Sequence, residues 1–146
     1  MIADANLRIQ REVLPKNTEL KNAFERYRSP HKSATNEELR ARLEKYTALA
    51  KQNQSYELIL SELKGKLPEQ LYVYRGGVGN SPARTLENYS VLPEVADIFA
   101  MGEEGYREGA VMVRELIHRD QVVALGSRRE SEVIVQTTPI QEAKAA

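Results

Sequence analysis

The chain has no cysteine among its 146 residues. That excludes a disulfide framework, a thiolate zinc site and a cysteine nucleophile. Histidine is almost as scarce. His31 and His118 are the only two, in separate neighbourhoods, so no histidine metal site or Ser-His-Asp triad is expected. No apolar run approaches the roughly 18 residues that cross a bilayer. Met1-Ile2-Ala3-Asp4 lacks the basic and then apolar opening of a secretory signal. The expected location is the cytosol, or the cytoplasm of a target cell reached without such a signal. The formal net charge is zero. Residues 1–70 carry three more basic than acidic side chains, and the rest reverse that balance. Neither half carries a basic stripe interleaved with aromatics, so no obligate nucleic-acid partner is expected.

What is present has two textures. Up to about residue 67 the apolar spacing is helical. Leu7, Ile9, Val13 and Leu14 mark an amphipathic piece before Pro15. Leu20, Ala23, Phe24 and Tyr27 mark a helix from Thr18 to Arg28, ended by Ser29-Pro30. Thr35-Asn36-Glu37-Glu38 is a capping box opening a helix with Leu39, Leu43, Tyr46 and Ala50 on one side. Tyr56, Ile59, Leu60 and Leu63 mark the next, with Gly65 and Pro68 as stop signals.

From residue 70 the period shortens. Strands are expected at Leu71–Tyr74, ended by Gly76-Gly77, and at Asn88–Val91, Ala110–Ile117, Gln121–Leu125 and Glu132–Gln136. Leu92-Pro93-Glu94 opens a short helix with Val95, Ala96 and Phe99 on its buried side. A Gly- and Glu-rich loop spans 101–109. Helices first and strands after predict an α+β fold of one domain.

One stretch stands out: Arg129-Glu130-Ser131-Glu132-Val133-Ile134-Val135. Alternation along a strand would set Glu130 and Glu132 side by side on one face. Like charges that close raise at least one pKa unless a cation or substrate separates them. Upstream, Tyr74-Arg75-Gly76 ends one strand and Tyr89-Ser90 lies on the next. Each motif alone has a plain alternative. Arg75 reads as a solvated strand end, Ser90 as a polar strand residue, and the glutamates as a solvated face opposite buried Ser131, Val133 and Val135.

Their order changes the reading. Tyr74-Arg75-Gly76, then Tyr89-Ser90 with Ala96 and Phe99, then Glu130-Ser131-Glu132 resembles the arginine-serine-glutamate class of mono-ADP-ribosyltransferases. These include bacterial toxins, bacteriophage enzymes and vertebrate ectoenzymes. The resemblance covers about residues 70–137. It implies a split two-sheet β core with N-terminal helices. The transferase-like domain would span 31–140 (helices 35–67, strands 70–137), with a tail over 141–146, while residues 1–30 have no role in that account and are expected to be a helical extension, a docking segment or a connector.

The resemblance implies NAD as the donor substrate and no metal. Glu132 would stabilise the oxocarbenium-like ribose and bind its hydroxyls. Arg75 and Gly76 would hold the dinucleotide, Arg75 by forked hydrogen bonds. Ser90 would orient the catalytic carboxylate. Tyr89 or Phe99 would pack on the nicotinamide ring, or belong to the core, and Tyr106 would cover the cofactor. Glu130 would face the acceptor, and a glutamate there goes with a protein arginine as partner. Departures stand beside the match, among them the 41 residues that separate Ser90 from Glu132, compact for the family. Ser90-Val91-Leu92 lacks the second hydroxyl many members carry, and Gly126-Ser127-Arg128-Arg129 lacks an aromatic for the acceptor protein. The competing functions are an NAD glycohydrolase on the same scaffold and a non-enzymatic helical interaction protein.

Overall fold

A computed structural model describes residues 1–28, 35–78, 86–94, 101–102, 105–106 and 110–137. The fold is α+β, with four α-helices ahead of the strands among the described residues. Helix α1 (Ile2–Arg8) continues through a wide π turn (Ile9–Val13) and a tight 3-10 turn (Leu14–Lys16). Helix α2 (Thr18–Arg28) starts where Asn17 Oδ1 accepts the Leu20 N–H at 3.0 Å. Helix α3 (Asn36–Gln52) is capped by Thr35, whose hydroxyl accepts the Glu38 N–H at 3.1 Å. Helix α4 (Gln54–Lys66) is capped by Asn53, which accepts from Tyr56 N–H at 2.9 Å. Each cap meets one of the free N–H groups that open a helix. Gly65, expected to stop α4, stays inside it. The stop is Leu67, held extended (φ −78°, ψ 151°) ahead of Pro68, because proline disfavours the α region for its predecessor.

The described strands are β1 (Gln70–Val78), β2 (Leu86–Ser90), β3 (Met101–Gly102), β4 (Gly105–Tyr106), β5 (Ala110–His118), β6 (Val122–Leu125) and β7 (Glu132–Gln136). Strand β1 runs through the two glycines expected to end it. Gly76 stands opposite Met112 and Gly77 opposite Val111, so the long antiparallel ladder with β5 carries the backbone past the turn signal. Part of the loop expected over 101–109 is a two-stranded ribbon, with Met101 opposite Tyr106.

The expected split two-sheet core is not seen. Among the described residues five strands form one open antiparallel sheet in the order β5-β1-β2-β7-β6, and the ribbon β3-β4 stands apart. Strands β1 and β2 join the sheet with Tyr74 opposite Ser90 among the described residues. Strand β7 is central. Val133, Ile134 and Val135 are consecutive and wholly buried, so both of its faces are covered.

Helices α3 and α4 pack on β6, and α1 packs on β7. Strand β6 is a sheet edge, which leaves backbone groups in need of partners. Two buried tyrosines supply them. The Tyr46 hydroxyl donates to Leu125 O at 2.6 Å, and the Tyr56 hydroxyl accepts the Leu125 N–H at 2.8 Å. The two hydroxyls lie 2.6 Å apart. Burial holds both phenols above their ordinary pKa, so they remain neutral donors.

Residues 1–28 belong to this assembly. Ile2, Ile9, Leu20 and Phe24 share one buried cluster with Tyr46, Leu125 and Val133. The segment expected as an N-terminal extension or docking piece is, over its described residues, part of the core. No helix among the described residues is long and apolar enough to cross a membrane.

Candidate active site

The β6–β7 hairpin builds the site. Its turn closes with the Ser131 N–H donating to Arg128 O at 3.1 Å, and Ser131 takes a positive φ of 45°. Strand β7 begins only at Glu132. Glu130 therefore lies in the turn, and strand alternation does not set the pair side by side as expected. The turn brings the two carboxyls together by another route. Burial first, then the negative charge of Glu132 and a hydrogen bond to it, raise the Glu130 carboxyl above its ordinary pKa, while Arg28 and Arg129 act in the opposite sense.

Glu132 is only 7% exposed, which removes the alternative that it is part of a solvated face. Its carboxylate lies back over the hairpin. Oε1 accepts from the Tyr27 hydroxyl at 2.6 Å and from the Ser127 N–H at 3.2 Å. Oε2 accepts from Asn88 Nδ2 at 3.2 Å. A Cβ on Gly126 would overlap the Glu132 side chain, Oε1 foremost, so glycine makes the folded-back pose possible. Asn6 fastens the backbone beneath, donating from Nδ2 to Gly126 O at 2.7 Å and to Glu132 O at 3.3 Å.

Ser90 stands opposite Glu132 in the β2–β7 pair. Its hydroxyl does not reach the expected carboxylate. It donates to Glu130 O at 2.5 Å and accepts the Leu92 N–H at 2.9 Å. Ser90 thus ties the end of β2 to the turn that carries Glu130.

Arg75 sits elsewhere. Tyr74, Ser90 and Glu132 form one row across β1, β2 and β7, so alternation turns Arg75 to the other side of the sheet. Its Nε is buried without a hydrogen-bond partner. Tyr89 alternates with Ser90 and shares that other side. It is buried in the core and donates to Glu115 Oε2 at 2.8 Å. Burial, followed by Glu115, raises its phenol pKa, and the Arg75 charge opposes this. Of the two sequence readings for Tyr89, membership of the core describes its position. Gly76 is within the β1–β5 ladder. Ala96 and Phe99 lie outside the described residues, and so does the side chain of Tyr106.

The chain matches no protein family, no curated protein and no solved structure. Among the described residues, no three His, Cys, Asp or Glu side chains group to hold a metal ion. A surface groove of about 540 Å³, lined by Glu19, Asn22, Ala23, Glu25, Arg26 and Lys45, involves none of the sequence-predicted site residues.

Sequence reading missed Tyr27, Asn88, Gly126 and Asn6. Tyr27 fits the apolar stripe of α2, and its only signal was a phenol that needs a partner when covered. Nothing local marked Asn6 or Asn88.

Proposed function

We propose that this chain is an NAD-dependent mono-ADP-ribosyltransferase that transfers ADP-ribose to an arginine side chain of a target protein and releases nicotinamide. The observation that carries the reading is Glu132, a nearly buried carboxylate held in one pose beside a second carboxyl of raised pKa. The strand order lends further support. The Arg75, Ser90 and Glu132 strands are consecutive neighbours, β1-β2-β7.

In the proposed reaction, the bond between the anomeric carbon and the nicotinamide nitrogen breaks. Nicotinamide leaves with the bonding electrons, and positive charge develops on the ribose. A fixed carboxylate in a water-poor setting stabilises that charge far better than a solvated one. Glu132 has this role. A guanidinium nitrogen of the acceptor then bonds to the anomeric carbon and gives up a proton. Glu130 takes it, and its raised pKa makes it a better base than an ordinary carboxylate. Arg75 lies on the other side of the sheet with its Nε buried, so the two carboxyls and not Arg75 support the proposal.

The test is nicotinamide release from NAD with and without agmatine, a simple guanidinium acceptor, beside Glu132→Gln. Release that rises with agmatine and vanishes in the variant is expected. Release indifferent to agmatine would indicate hydrolysis with water as acceptor, or a transferase that accepts only its protein target. No release and no NAD binding would overturn the proposal in favour of a non-enzymatic interaction protein.

A further inference from the structure

We infer that Tyr27 is the positioning residue of this site: its hydroxyl, in place of Ser90, orients the Glu132 carboxylate. The inference rests on the transferase reading above and deepens it.

The two oxygens of Glu132 are held unequally. Oε1 is fixed by the Tyr27 hydroxyl at 2.6 Å, by the Ser127 N–H at 3.2 Å and by the bare backbone of Gly126 beneath it. Oε2 accepts from Asn88 Nδ2 at 3.2 Å, and Asn88 is an exposed residue. Oε1 is therefore the anchor, and Oε2, the less firmly held, is the oxygen that turns to a ribose. Hydrogen bonds to a carboxylate are short and strong when the donor is fixed. Tyr27 is such a donor. Its ring stacks on Tyr46, with centroids 5.6 Å apart and planes within 5°. Tyr46 is wholly buried and bonded to the sheet edge at Leu125 O. A continuous path thus runs from β6 through Tyr46 to the Tyr27 hydroxyl and on to the reacting carboxylate. Burial and the Glu132 charge keep the phenol protonated, so it holds the carboxylate without cancelling its charge. Ser90 is not available for this duty, because its hydroxyl is engaged with Glu130 O and the Leu92 N–H.

Helix α2 is thereby part of the active site. It is not a detachable cover, since Leu20, Ala23 and Phe24 anchor it in the core.

The experiment measures steady-state nicotinamide release by wild type, Tyr27→Phe and Glu132→Gln, with thermal unfolding of each. Phenylalanine keeps the stack and removes only the hydroxyl. The expected result is a folded Tyr27→Phe whose kcat falls roughly 10- to 100-fold, since a small misplacement of a reacting group costs that much, while KM for NAD changes less than about threefold. A purely structural role would lower the unfolding temperature and leave the kcat of the folded fraction alone. An unchanged or increased kcat in Tyr27→Phe, with wild type active and Glu132→Gln inactive, would overturn the inference and spare the transferase reading. Inactive wild type would overturn both. Should Tyr27→Phe not fold, a fluorinated tyrosine at position 27 keeps the shape and alters only the acidity of the phenol. A changed kcat at constant KM is expected there, and an unchanged kcat would overturn the inference.

Discussion

Ser90 and Glu132 stand directly opposite each other in adjacent strands, yet the Ser90 hydroxyl bonds the backbone carbonyl of Glu130, 2.5 Å away. The serine and the second glutamate are coupled through the main chain. This divides the site into two parts: Tyr27 and the hairpin hold Glu132, and Ser90 holds the turn that presents Glu130.

Ser90→Ala should therefore impair the acceptor step more than bond cleavage. Agmatine-dependent transfer is expected to fall more than nicotinamide release into water. Two partnered backbone groups lose their hydroxyl, which should lower stability by about 1–2 kcal/mol. Parallel transfer and hydrolysis assays with denaturant unfolding check both parts. Equal loss of the two reactions would contradict the division.

Glu130 should set the acid limb of transfer. Its pKa is raised chiefly by burial, then by the charge of Glu132. As pH falls through that raised value, Glu130 gains a proton and can no longer accept one. Arginine transfer is thus expected to decline at a higher pH than an ordinary carboxylate would dictate, and the decline should disappear in Glu130→Gln with transfer low throughout. The stability effect has a defined sign. The folded state binds this proton more tightly than the unfolded chain, so the contribution is present below the unfolded pKa and is lost as pH rises through the folded one. Glu130→Gln should flatten stability in that window, measured by unfolding across pH.

Gly126→Ala should act on chemistry through Glu132. The added Cβ overlaps Oε1, so the carboxylate must leave its anchor or the hairpin must shift. Overpacking of this kind costs typically about 1–3 kcal/mol, and nicotinamide release should fall steeply. Gly65→Ala is the control. Gly65 lies in α4 with open space where its Cβ would stand, so alanine should stabilise by about 1 kcal/mol and leave activity alone. Thermal unfolding and release assays on both variants separate the two cases.

The sequence by itself determined the elements and their class. Thr18–Arg28 and Glu132–Gln136 were legible from end to end, and the Thr35 cap was legible from its own few residues, because capping, periodicity and strand alternation are local. Local signals failed where a longer-range partner outweighed them. Gly76 and Gly77 did not end β1, since β5 supplied a full ladder of hydrogen bonds, and Gly65 did not end α4, since the stronger constraint was Pro68. Alternation also failed to describe Glu130, which a turn with a positive φ at Ser131 removed from the strand. The pair Glu130 and Glu132 was visible as a motif, but its geometry was not. Only the tertiary structure decided what holds Glu132. Tyr27 meets it across 105 residues and Asn6 meets its carbonyl across 126. A hydroxyl or amide carries no local mark of its eventual partner. It is paired by the packing of α1 and α2 onto the hairpin, where an unpaired polar group would be costly and any donor brought within reach is held.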